Sequence, residues 1–127
     1  MKGKKIPTSS FHTAGPYSPL VIAGDFVFLS GQLPLNLQTG ELVTGDIAQA
    51  AEQCLENIKT ILATAGVGLD KVVKTTIFLT RPEYFSTVSE VYGRYFPKNP
   101  PARSTVFVQA LPKGALIEIE AIAYRHG

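Results

Sequence analysis

The sequence predicts an α+β fold: a single domain in which a mixed β-sheet carries two helices packed on one face. Two patterns lead to that reading. Several segments are β-branched and aromatic, or alternate apolar with polar residues, as strands do. Two others repeat apolar residues every three or four positions, as amphipathic helices do. Taken in order they run β-β-α-β-α-β-β, the mixture from which a sheet with helices on one side is built. With 127 residues, 45% of them hydrophobic, the chain can bury one core and has no room for a second domain, so residues 1–127 form one unit.

Residues 1–14 read as a loose N-terminal segment carrying Lys2, Lys4 and Lys5. The start MKGKKIPTSS has basic residues but no apolar stretch behind them, so no secretory signal is expected. No run approaches the roughly 18 apolar residues of a membrane span. A single cysteine, Cys54, excludes an internal disulfide and a multi-cysteine zinc site, and the expected compartment is the cytoplasm. The net charge of +2 is too mild to argue for nucleic acid.

The first strands are Leu20–Ala23 and Phe26–Leu29, separated by Gly24-Asp25 as in a hairpin, with Ser30-Gly31 ending the second. Residues Pro34–Gly45 are rich in turn formers. Asp46–Ala65 is the first helix. Its stripe comprises Ile47, Ala50, Ala51, Cys54, Leu55, Ile58, Ile61, Leu62 and Ala65, with Asp46 as N-cap and Gly66 as the left-handed residue after its end. Cys54 falls in that stripe and reads as a core residue. Val72–Leu79 is a strand. Thr80-Arg81-Pro82-Glu83 reads as a capping box opening a second helix to about Phe96, with Phe85, Val88, Tyr92 and Tyr95 inward. Ser104–Ala110 and Ala115–Tyr124 close the sheet. In the last strand Ile117, Ile119, Ala121 and Ala123 face one way. Leu116, Glu118, Glu120 and Ile122 face the other, a mixture too apolar for water and too charged for a core, which predicts cover by another subunit.

No metal constellation is present, since His12 and His126 lack ligand spacing and a third donor. Phosphate loops, a dinucleotide fingerprint and a nucleophile elbow are likewise missing. What remains is Arg103 before a strand, Glu118 within the next, and Ser30-Gly31. Arginine grips a carboxylate through two parallel hydrogen bonds. A partly buried glutamate has a raised pKa and can act on water. Glycine permits close approach to backbone N–H groups. The set suits a small substrate with a carboxylate beside a hydrolysable group, although Arg103 could equally form a structural ion pair.

The segments GPYSP (Gly15–Pro19), SGQLPLNLQTGEL (Ser30–Leu42), NIKTIL (Asn57–Leu62), VVKTTIFL (Val72–Leu79), PARSTV (Pro101–Val106) and LPKGALIEIEAIA (Leu111–Ala123) resemble the reactive intermediate deaminase family, also called RidA or YjgF. The resemblance spans nearly the whole chain. It implies a chorismate-mutase-like fold, a homotrimer with sites between subunits, and hydrolysis of 2-iminobutanoate and 2-iminopropanoate to 2-oxo acids and ammonia. No cofactor or metal is implied. By the same resemblance Arg103 binds the carboxylate and Glu118 activates water, while Tyr17, Ser30, Gly31, Thr105 and Ser89 line the substrate. Two positions depart from the family pattern. Ser89 replaces a common asparagine, which implies a roomier cleft and a wider substrate range, and Gln109 stands where a small residue is usual. Two rival readings are a small-carboxylate-binding or chaperone-like module without turnover, and an RNA-directed translation inhibitor. The second lacks a basic stripe with interleaved aromatics.

Overall fold

The computed structural model describes residues 4–5 and 15–126. Six strands form one sheet: β1 (Lys4–Lys5), β2 (Leu20–Ala23), β3 (Phe26–Gln32), β4 (Val72–Leu79), β5 (Ala102–Phe107) and β6 (Ile117–Tyr124). Their spatial order is β1-β2-β3-β6-β4-β5. All pairings are antiparallel except β4 with β5, which is parallel and makes the sheet mixed. Lys4 and Lys5 pair with Ile22 and Val21 at the sheet edge. The rest of the segment expected to be loose lies outside the described residues.

Helix α1 (Ile47–Ala63) forms where the apolar stripe predicts it. Asp46 caps it, its carboxylate accepting from the backbone N–H groups of Ala48 at 2.9 Å and Gln49 at 3.3 Å. At the other end Gly66 is left-handed, with φ of 71°, and the bonds Gly66 N–H to Ala63 and Val67 N–H to Leu62 satisfy the last carbonyls. Leu55, Ile58, Ile61 and Leu62 are wholly buried against Ile117, Ile119 and Ile77 of the sheet. Each such side chain contributes about 1.5–3 kcal/mol on leaving water.

Helix α2 (Phe85–Tyr95) starts differently from the expectation. Thr80 caps nothing; its hydroxyl lies 3.4 Å from the Leu116 carbonyl, and its N–H also bonds Leu116. Residues Pro82–Tyr84 instead form a 3-10 turn without a side-chain cap. The Leu116 carbonyl, just before β6, competes successfully for the threonine that a capping box would use. The inward face of α2 is Val88, Val91 and Tyr92, whereas Phe85 is 44% exposed and Tyr95 only half-buried.

Strand β3 also differs. It continues past Leu29 to Gln32, with a register break between those residues where it pairs with β6. Ser30 and Gly31 therefore sit in a bulge inside the strand rather than at its end. The bulge is fixed from several sides. Ser30 Oγ donates to the Ser18 carbonyl at 2.7 Å, and Gln32 Nε2 donates to the Ser30 carbonyl at 3.1 Å. Buried Asn57 of α1 donates to the carbonyls of Leu33 and Leu35, at 3.2 and 2.7 Å, tying the chain after the bulge to the helix.

The alternation in β6 holds: Ile117, Ile119, Ala121 and Ala123 are buried, while Glu118, Glu120 and Ile122 face away from the helices. On that open face Phe26 and Phe28 are each 43% exposed, and Phe28 stands opposite Ile122. Among the described residues, no helix is long and apolar enough to cross a membrane.

Candidate active site

Register decides which predicted site residues share a face. Arg103 and Thr105 stand beside Thr75 and Ile77 of β4, whose side chains are buried under the helices. They therefore lie on the helix-bearing face, at the sheet edge beside α2. Glu118 stands opposite Phe78, on the other face. The structure gathers the predicted residues into two groups, one on each side of the sheet.

The first group lines a groove of about 670 Å³ between α2 and β5, with Phe85, Ser89, Tyr92, Arg103 and Thr105 in its wall. The Arg103 guanidinium donates from Nη2 to Ser89 Oγ at 2.8 Å and from Nε to Thr105 Oγ1 at 3.1 Å. Its carbon lies 4.9 Å from the Tyr92 ring centre and 5.2 Å from that of Phe85. Tyr92 is itself fixed, its hydroxyl 2.6 Å from that of buried Thr75. Burial pushes the Tyr92 phenol up, against smaller opposing effects of the Thr75 bond and Arg103, so this ring stays neutral beside the cation. The Nη1 protons are directed at none of these partners, leaving the terminal edge that binds carboxylates in a bidentate way.

The second group lines a cleft of about 520 Å³ formed by Tyr17, Ser30, Gly31, Leu33, Pro112 and Glu118. Burial first, and the negative charge of Glu120 second, raise the Glu118 carboxyl above its ordinary value. Leu33 and Pro112 give the cleft apolar walls. Behind the bulge lies Cys54, wholly buried, its thiol donating to the Gln32 carbonyl at 3.2 Å. Burial, and then the charge of Glu118, push that thiol well up, so it stays protonated and packs as a core atom.

Several details were not expected. Phe85 and Tyr92 read as core positions by their spacing, yet both hold Arg103. Leu33 and Pro112 carried no signal as cleft walls. The hydroxyl of Ser30 is committed to Ser18, and that of Ser89 to Arg103, so neither simply points into open space. Gln109 is exposed, beyond the end of β5. Among the described residues no group of three His, Cys, Asp or Glu side chains could hold a metal ion.

The sheet thus carries two features suited to chemistry, the Arg103 guanidinium in the groove beside α2 and the Glu118 carboxyl in a separate cleft on the other face. The chain belongs to the YjgF/RidA family: the family model described as Endoribonuclease L-PSP matches residues 7–125. Among its relatives, the human 2-iminobutanoate/2-iminopropanoate deaminase is 46% identical over 109 residues, which are 86% of this chain and 80% of that protein. A Thermotoga maritima protein named as a candidate endoribonuclease is 48% identical, with a TM-score of 0.92 over all of both chains. E. coli TdcF, solved with bound serine, is 41% identical, with a TM-score of 0.90 over 97% of this chain and 99% of that one.

Proposed function

We propose that this protein hydrolyses small 2-imino acids, 2-iminobutanoate and 2-iminopropanoate among them, to 2-oxo acids and ammonia, in the cytoplasm and as a homotrimer. The observation that carries this reading is the placement of Arg103 and Glu118 on opposite faces of one sheet. A single chain cannot bring both to one substrate. A site between subunits, with Arg103 from one and Glu118 from the next, can, and it would also cover the half-apolar face around Phe28 and Ile122.

In that site Arg103 takes the substrate carboxylate on its free edge. The Glu118 carboxylate accepts a proton from water as the oxygen attacks C2, and the C=N π electrons move to nitrogen, which takes that proton back from Glu118 to give a neutral carbinolamine. Glu118 then carries the hydroxyl proton to the amine nitrogen as the C–N bond breaks, so that ammonia leaves and the C2 carbonyl forms. Positioning supplies most of the help such a reactive imine needs. A raised glutamate is a stronger base than an ordinary one and still gives the proton back near neutral pH.

The deaminase name of the human relative supports the reaction, and serine bound to TdcF supports an amino-acid-sized carboxylate as ligand. That second finding also fits a module that binds without turnover. The experiment that separates them generates 2-iminobutanoate in situ with a threonine dehydratase and times 2-oxobutanoate release. Release faster than the spontaneous rate, in proportion to added protein, is expected. Binding of 2-oxobutanoate with no acceleration would establish the binding module instead.

A further inference from the structure

We infer that Gly31 is a positioning residue for Glu118: the side chain missing at position 31 is the seat that holds the Glu118 carboxylate in the cleft. The inference deepens the reading above, in which Glu118 directs water. Gly31 does not need glycine for its torsion angles. Among the described residues the left-handed glycines are Gly24, Gly40, Gly45, Gly66 and Gly114, and Gly31 is not one of them. The demand at 31 is for space. A Cβ built there would overlap a Glu118 carboxylate oxygen, stand 2.7 Å from its carboxyl carbon and 3.0 Å from Cγ. The end of the glutamate thus lies directly over the Gly31 Cα.

The surroundings determine what would give way. On both sides of the bulge the strands are locked in register, Leu29 with Ala121 and Gln32 with Ile119. The obstructing atoms, by contrast, are the far end of a flexible side chain. An alanine at 31 would therefore leave the sheet in place and drive the carboxylate out of its seat toward solvent. The groups near the seat are Tyr17 across the cleft, Glu120 two residues along β6 and the protonated Cys54 behind. Among the described residues that line the cleft, none offers the displaced carboxylate a cationic partner.

The test compares wild type, Gly31→Ala, Glu118→Asp and the double variant Gly31→Ala/Glu118→Asp as full-length proteins. Alanine retains the N–H at 31, so any hydrogen bond from that backbone to substrate survives. In Gly31→Ala, kcat for 2-iminobutanoate should fall by about 100-fold, the scale of a lost general base, with KM changed much less. The acid limb of the kcat profile should move to lower pH, because a solvated glutamate titrates nearer its ordinary range. Carboxyl-labelled NMR should show the Glu118 titration moving the same way. Aspartate is one methylene shorter, so its carboxyl carbon stands near the present Cγ, 3.0 Å from the new methyl, a tight contact in place of an overlap. The double variant should therefore be at least about tenfold faster than Gly31→Ala. Wild-type kcat and an unmoved Glu118 titration in Gly31→Ala would overturn the inference. If wild type fails to hydrolyse imines yet the titration moves, the reaction assigned above is wrong and the seat stands. An unmoved titration refutes the seat whatever the turnover.

Discussion

Arg103 and Glu118 are held in contrasting ways. Arg103 is bonded to Ser89 and Thr105 and flanked by the rings of Phe85 and Tyr92, so its charge, permanent in any case, also has a fixed direction. Glu118 is held by packing over Gly31, with burial and Glu120 making its charged form less favourable. One half of the proposed site has an invariable charge in a rigid mount. The other has a proton affinity set by its surroundings. That division matches a carboxylate anchor on one side and a group that must gain and lose a proton on the other.

The contrast is broken most severely at Arg103. Arg103→Ala should lower kcat/KM for 2-iminobutanoate by about a thousandfold, since two charge-assisted hydrogen bonds of about 2 kcal/mol each would be lost. The half-buried side chain carries no core, so circular dichroism and thermal melting should change little. Arg103→Lys should be nearly as poor, because lysine lacks the planar fork. Wild-type turnover in either variant would remove the anchor from the scheme.

Glu118→Gln comes next. It should lower kcat by about 100-fold while leaving affinity for 2-oxobutanoate within about twofold, because the amide preserves shape but not basicity. The same change should stabilise the protein. The folded pKa of Glu118 is raised, so its contribution to stability is fully present below the ordinary glutamate pKa and is lost as pH rises through the folded value. At neutral pH the wild type holds an unfavourable buried charge that glutamine lacks. Melting curves should therefore favour Glu118→Gln at pH 7, with the gap closing as pH falls toward about 4. A gap that widened in acid would contradict the raised pKa.

Smaller in size is complementation between the two halves. Arg103→Ala and Glu118→Gln, each nearly inactive, would be unfolded together and refolded as mixed trimers. If each site draws Arg103 from one subunit and Glu118 from its neighbour, about a quarter of the sites regain both groups on random assembly. Recovery of that order is expected in the turnover assay. No recovery in mixed trimers verified by mass would place both groups in one chain's site, against their positions on opposite faces.

How far these features could be read from sequence depends on whether a residue's role is local. The stripe of α1, its Asp46 cap, the Gly66 ending and the alternation of β6 are set by neighbours a few positions away, and each was legible. Thr80 was misread because its partner, Leu116, is remote in sequence. Phe85 shares the helical spacing of Val88 and Tyr92, but the first turn of α2 overhangs the sheet edge, where the neighbour is Arg103 rather than the core. The bulge does leave a mark, because a glycine within a strand pattern commonly signals one. But Ser30-Gly31 also has the composition of a strand end, and only the pairing of Gln32 with Ile119 separates the two. Arg103, Glu118 and Ser30-Gly31 stand out by residue type alone, but their roles, and Tyr17, Thr105 and Ser89 beside them, came from the family resemblance, since no local rule links Arg103 to Glu118.

Ser89 gives the smallest expected effect and separates two roles within the rigid half. The family resemblance implies that serine in place of asparagine makes room for larger substrates. The geometry adds a second role, because the serine hydroxyl accepts the Nη2 hydrogen bond of Arg103. Ser89→Ala removes only the bond. A net loss of about 1 kcal/mol would raise KM roughly fivefold and leave kcat nearly unchanged, as the arginine samples more orientations before substrate arrives. Ser89→Asn can restore an acceptor while filling space beside Phe85. It should keep the 2-iminopropanoate rate within about tenfold and lower the rate for a branched imine further, since a pocket rejects added methylenes by lack of room. The ratio of those two rates is the measurement to make. If it is the same in wild type and Ser89→Asn while Ser89→Ala raises KM, Ser89 acts only by holding Arg103. If the ratio falls and KM in Ser89→Ala does not rise, the residue shapes the pocket and the guanidinium is fixed well enough by Thr105, Phe85 and Tyr92.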